Sequence, residues 1–275
     1  MRIVVHRAFL AAIAVGLLGT AGTARAGLAQ DPVPGGQQAP SVAAPSPTRD
    51  DGRRTIRRFP ANLLRGTVGI FSTDNIKPLL IGGGVTGIGA IFDDDVATAI
   101  ADPSNGFGTS FEKGAEPAVI GGVVAVLFAA GRTSDAGRFR ATTYDWMHAF
   151  LINAGYTVLV KEVVRRERPN GEDQLSFPSG HASNAFALAA VAQGHYGWKE
   201  GVPAYALAGL IAVSRLQRNA HYLSDVLAGA TLGYIVGRTV VRVNGQALDS
   251  PRRAQFSLSP VVTRRSRALV AGVTF

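Results

Sequence analysis

The chain has 275 residues, a formal net charge of +9 and no cysteine. That length suits one large domain with a sizeable core, and the missing cysteines exclude disulfides, thiolate metal sites and thiol nucleophiles, so any chemistry rests on His, Asp, Glu, Ser, Lys or Arg. The positive balance points to anionic partners such as phosphorylated molecules or a membrane surface; nucleic acid is disfavoured, because the basic residues are spread out and carry no interleaved aromatics or binding motif.

Residues 1–26 read as an export signal: Arg2 and Arg7, an apolar stretch from Ala8 to Leu18, then Ala24-Arg25-Ala26 as a small-x-small cleavage site. The apolar run falls short of the roughly 20 residues of a membrane span, so the expectation is an exported, periplasmic protein rather than one held by an uncleaved anchor. Residues 27–58 are rich in Pro, Gly, Gln, Ala and Ser as far as Arg54 and read as a flexible linker. From 59 to 245 apolar blocks alternate with turn signals. The pattern predicts an all-α bundle of about six helices: Ile76 to Ile91, Ala118 to Gly131, Phe139 to Arg165, His181 to Tyr196, Ala204 to Arg215 and His221 to Val241. The breakers between them include Pro103-Ser104-Asn105-Gly106, Pro169-Asn170-Gly171 and Gly201-Val202-Pro203. Glycines at 82–84 and 121–122 suit close helix contacts. The longest uncharged runs, Pro78 to Phe92 and Pro117 to Gly131, are about 15 residues, which favours a soluble or surface-bound bundle over a membrane-embedded one. Residues 246–275 alternate, end on Phe275, and read as an appendage carrying one short strand.

Three clusters within 65 positions carry the candidate chemistry. In KEVVRRERP, Lys161 and Arg168 are seven apart; on one continuous helix ended by Pro169 both would project to one side, although a solvated basic face has the same look. In PSGH, Pro178 and Gly180 force a turn, and the backbone N–H groups of a helix starting near His181, with the Ser179 hydroxyl, suit a phosphate-like oxyanion. Ser179 serves equally well as a plain N-cap. In SRLQRNAHYLSD, His221 and Asp225 are four apart, so on a helix the carboxylate could fix the imidazole tautomer, while Arg215 could offer a bidentate fork to an anion.

Together these groups have the composition of a phosphoryl-transfer site: cations and N–H donors, a nucleophile and an acid. In order and spacing, KX6RP at 161–169, PSGH at 178–181 and SRX5HX3D at 214–225 resemble the three signatures of the type 2 phosphatidic acid phosphatase family, within the superfamily that includes bacterial acid phosphatases and vanadium haloperoxidases. The resemblance covers roughly residues 70 to 243. It implies a helical bundle and a phosphatase that needs no metal or other cofactor, acting on a phosphomonoester or diphosphate, with lipid phosphates among the candidates. It further implies that His221 attacks phosphorus to form a phosphohistidine, that Asp225 orients it, and that His181 protonates the leaving oxygen. Lys161, Arg168, Ser179, Gly180 and Arg215 would hold the phosphate.

A vanadate-dependent haloperoxidase and a non-catalytic anion-binding envelope protein are the competing readings. His148 and His195 are expected to be structural. Asp93-Asp94-Asp95 invites a magnesium site but reads better as a solvated loop. The substrate and the oligomeric state are not legible.

Overall fold

The computed structural model describes residues 53–104, 116–246 and two strands at 255–262 and 267–274. The expected signal and most of the expected linker lie outside the described residues. The domain is all-α, with eight α-helices among the described residues: α1 (Phe59–Gly69), α2 (Ile76–Ile91), α3 (Asp93–Ile100), α4 (Pro117–Thr133), α5 (Gly137–Val164), α6 (Gly180–Tyr196), α7 (Trp198–Gln217) and α8 (Leu223–Gly245).

α6 lies at the centre because its sequence, HASNAFALAAVA, keeps small side chains on nearly every face. Ala187 and Val191 meet Ala149 and Ile152 of α5 and Val236 and Val240 of α8. Ala185 and Ala189 meet Ala208 and Ile211 of α7. The tightest approach is between α6 and α8, where a Cβ on Gly229, Gly233 or Gly237 would fall 2.5, 2.1 or 2.4 Å from the carbonyl oxygens of Ser179, Ser183 and Ala187. Three glycines four residues apart form one row on a helix, so α8 lies backbone to backbone along α6.

The structure corrects several sequence expectations. α1 and α3 were not predicted. α7 begins at Trp198 and runs through Pro203; a proline near a helix start removes few intrahelical bonds and is tolerated there, so Gly201-Val202-Pro203 is no breaker. α5 ends at Val164 with Arg165 left-handed, φ 47°, and α8 starts at Leu223. The packed domain also begins inside the expected linker: Arg54 is buried and pairs with Asp145 at 2.9 Å. The appendage holds two strands, β1 (Gln255–Val262) and β2 (Arg267–Thr274), paired antiparallel, where one was expected. Of the glycines at 82–84, only Gly82 makes a close contact, against Thr231 of α8; Gly121 lies against Phe150 and Gly122 against nothing.

α2 touches the bundle through Gly82 and Gly89 and leaves its large side chains outside: Leu80 is 70% exposed, Ile88 61% and Ile91 75%. Val126 of α4 and Val158 and Val163 of α5 are exposed as well. α8 is long and apolar enough to cross a membrane, with half of that window buried inside the molecule; α2 with the turn before it and α3 pass the same test only as a pair bent by 66°.

Gly233→Ala should destabilise the protein by about 1–3 kcal/mol, because its Cβ meets backbone that cannot step aside. Gly83→Ala, whose Cβ meets nothing, should leave stability unchanged or raise it by up to ~1 kcal/mol. Chemical unfolding of the two variants side by side checks both.

Candidate active site

All three clusters gather at one end of the bundle. Lys161 sits in the last turn of α5, and a Cβ built on Gly180 would come within 4.0 Å of its side chain; the PSGH turn therefore faces that amine. Lys161 Nζ donates to the carbonyls of Leu175 and Ser176, holding the segment that leads into the turn. Arg168 does not continue α5. It stands in the following loop, where its Nε donates to Asp173 Oδ1 at 2.7 Å and its Nη1 to Ala220 O at 3.1 Å. One helical face does not unite the two cations, as the spacing suggested; the left-handed Arg165 turns the chain so that both still reach the same place.

The PSGH turn opens α6 with Ser179 as N-cap, its hydroxyl accepting from Ala182 N at 3.5 Å. The capping role is real, and the residue is fully buried. Ser179 N donates to Asp225 O at 2.9 Å, tying the second cluster to the third. The bond from Phe177 to Pro178 is cis.

His221 lies just before α8, not within it, and its Nδ1 is 3.8 Å from Asp225 Oδ2, an ion-pair separation rather than a hydrogen bond. The shared helix face expected for this pair is absent because Asp225 serves as the N3 residue of a capping box, accepting from Tyr222 N at 2.9 Å. Ser176 Oγ donates to the same oxygen, and Arg166 Nη1 donates to Oδ1 at 2.8 Å. Arg215, at the end of α7, is buried, as is His221, which is 3% exposed. Neither His221 Nδ1 nor His181 Nε2 has a hydrogen-bond partner among the described residues.

Burial pushes His221 down to about 4, with Lys161 and Arg168 adding to the effect and Asp225 opposing it. Burial first, then the charges of Arg215, His221, Arg168 and Lys161, takes His181 to about 3. Lys161 falls to about 8 through burial and the neighbouring Arg168. Burial would raise Asp225, but the nearby His221 ring, the bonds from Ser176 and the Tyr222 N–H, and the charge of Arg166 hold it below the usual carboxylate range. Burial and the surrounding cations thus favour the neutral form of both imidazoles.

Two residues of this site were missed from sequence. Asp93, taken for part of a solvated loop, is buried as the first residue of α3 and accepts from Ser224 N at 2.8 Å. Arg166, hidden in a run of charges, joins Asp93 to Asp225. The available signal was the acidic run itself, since aspartates are favoured in the first turn of a helix. The histidines set aside behave as expected: His148 is fully buried, its ring nitrogens on the carbonyls of Tyr144 and Phe59, and His195 Nε2 meets Asp145 at 2.8 Å.

Residues 146–248, which contain all three clusters, match the model of the PAP2 superfamily. Lipid A 1-phosphatase of Porphyromonas gingivalis is 39% identical over 112 residues, 40% of this chain and 24% of that protein. Decaprenylphosphoryl-5-phosphoribose phosphatase of Mycobacterium tuberculosis is 38% identical over 107 residues, 35% of this chain and 58% of that protein. The chain therefore spans between about a quarter and somewhat over half the length of these curated relatives. Among solved structures, a transmembrane PAP2 type phosphatidylglycerolphosphate phosphatase from Bacillus subtilis aligns over 70% of this chain and 98% of its own, at 18% identity and a TM-score of 0.47.

Unfolded, both imidazoles take up a proton near pH 6.5; folded, they do so near 4 and 3. The unfolded state then binds more protons between those values, so stability should fall as pH drops from about 6.5 toward 4. Melting temperatures across that window should show the decline. His221→Gln should flatten it, and added inorganic phosphate should raise the melting temperature.

Proposed function

Because residues 146–248 are a PAP2 superfamily domain, we propose that the chain is a phosphatase that releases phosphate from a phosphorylated lipid through a phosphohistidine on His221. The observation that carries this reading is the convergence of Lys161, Arg168, Arg215 and the PSGH turn around two neutral imidazoles, one of them backed by a carboxylate. Neutral His221 has a lone pair for phosphorus; with Nδ1 turned toward Asp225, Nε2 is the attacking atom. As the N–P bond forms and the P–O bond breaks, the ring becomes cationic, and the charge of Asp225 stabilises it.

His181 supplies the leaving oxygen with its proton and takes one back from water in the second step, so that the histidine–phosphorus bond is hydrolysed and both rings return to their starting state. Burial and the surrounding cations favour the neutral form of His181. A dianionic phosphoryl group reverses that field and raises its affinity for the proton it must donate. Lys161, Arg168 and Arg215 bear on the equatorial oxygens, with the N–H groups at the start of α6 and the Ser179 hydroxyl completing the cradle.

A lipid substrate is supported by the relatives, one named for lipid A and one for a decaprenyl-linked phosphoribose. It is also supported by the exposed apolar side chains of α2, a patch that a freely dissolved protein would not normally leave uncovered, and we take this flank to lie against a membrane. Export of the domain, through residues 1–26, would put the cradle on the periplasmic side.

In EDTA, the purified protein should release phosphate from a short-chain phosphatidic acid or a prenyl diphosphate faster than from a soluble aryl phosphate. His221→Ala should lose at least about 10³-fold in kcat, and His181→Ala should accumulate an acid-labile, base-stable phosphoprotein. Undiminished turnover by His221→Ala would overturn the mechanism; activity only as peroxide-dependent halide oxidation with vanadate would replace it with a haloperoxidase.

A further inference from the structure

Asp93 is the first residue of α3, directly after the elbow at which α2 turns by 66°. Of the three consecutive aspartates it alone is buried; Asp94 and Asp95 are exposed. Its Oδ1 accepts from Ser224 N at 2.8 Å, and its Oδ2 accepts from Ser224 Oγ at 2.6 Å and from Arg166 Nη2 at 2.8 Å. Arg166 in turn spends Nη1 on Asp225 Oδ1 at 2.8 Å and Ser224 Oγ at 2.7 Å. Its guanidinium carbon stands 4.0 Å from the centre of the Tyr222 ring. A planar fork with donors on separate nitrogens can hold two carboxylates at fixed separation, which an ammonium cannot.

The two residues therefore lie behind Asp225, on the side away from His221, and they make a row of alternating charge: Asp93, Arg166, Asp225, then the imidazole. Without Asp93, the positive charge of Arg166 would act undiluted on Asp225 and weaken its support of a cationic ring. Without Arg166, the carboxylates of Asp93, held by Ser224, and of Asp225 would lose the cation that joins them. Resting on the phosphatase reading above, we propose that Asp93 and Arg166 are positioning residues of the reaction: they fix Asp225 against the ring of His221 and set how strongly that ring holds a proton.

Among the described residues, the charged and titratable groups around His221 are Lys161 of α5, Arg168 of the loop after it, His181 of α6 and Asp225 of α8, with Arg215 of α7 acting on His181. Asp93 and Arg166 are the charged groups that, among the described residues, reach His221 through Asp225. Their removal should thus move the acid limb of the kcat/KM profile, which reports the free enzyme, in opposite directions.

The full chain is assayed for phosphate release as a function of pH. Asp93→Asn, which leaves Arg166 uncompensated, should shift the acid limb to lower pH by about one unit and reduce kcat about 10-fold. Arg166→Gln should shift it upward, and the double variant should bring the limb back toward that of the wild type. Arg166→Lys should restore the limb, which depends on charge, but not kcat, which depends on the fork. Asp95→Asn should change nothing. The Arg166 side chain is 31% exposed, so its variants test the proposal even if Asp93→Asn fails to fold, as melting curves would reveal. Equal losses of activity with unmoved limbs, or shifts in the same direction, would overturn the positioning role while leaving the phosphatase intact. A wild type with no turnover on any phosphate would overturn both.

Discussion

The backbone contact between α6 and α8 is the constraint from which the rest of the site follows. Gly229 lies under the Ser179 carbonyl and Gly233 under that of Ser183, so the row that brings the helices together ends at the PSGH turn itself. Close approach there lets Ser179 N reach Asp225 O at 2.9 Å. The start of one helix and the start of the next are thereby locked at a single point, one offering N–H groups and the other a histidine with its carboxylate. Loosening that contact would move the PSGH turn away from His221, and the proposed phosphoryl transfer depends on their spacing.

The second governing feature is the sign of the field. Three cations and two imidazoles crowd together with Asp225 beside His221 and Asp173 on the outer side of Arg168, and burial itself disfavours further charge on the rings. The imidazoles respond by remaining neutral. In the proposed mechanism this state suits a nucleophile, and a dianionic substrate would both compensate the cations and raise the affinity of His181 for a proton.

Much of the site was legible in the sequence because it consists of short, ordered patterns: the eight residues expected to hold and attack phosphate do stand at one end of one bundle. What was misread was how they get there. A seven-residue spacing suggested one helix face for Lys161 and Arg168, and a four-residue spacing did the same for His221 and Asp225, but left-handed Arg165 and the capping box at Tyr222 override both periods. Local backbone turns of this kind leave little trace in composition. Asp93 and Arg166 were missed for a different reason: their importance depends on a contact across 73 positions of chain, and neither differs in type from the exposed charges beside it. The six predicted helices were found where apolar periodicity was strong, whereas α1 and α3 were too short and too mixed to stand out.

Some 14 to 19 residues along each helix from the cradle, at the far end of α5, α6 and α8, Asp145 gathers Arg54, His195 and Asn244 with bonds of 2.8 to 3.0 Å. Arg132 adds a bond of 2.9 Å to the Arg54 carbonyl. Arg54 belongs to no helix, yet it supplies the buried countercharge on which this knot is built. Proteolytic trimming that removed it would strand a carboxylate in the interior, a defect that commonly costs about 3–5 kcal/mol. The segment before α1 is thus a clasp on the bundle, and the shortest fragment able to keep the helices together must retain Arg54.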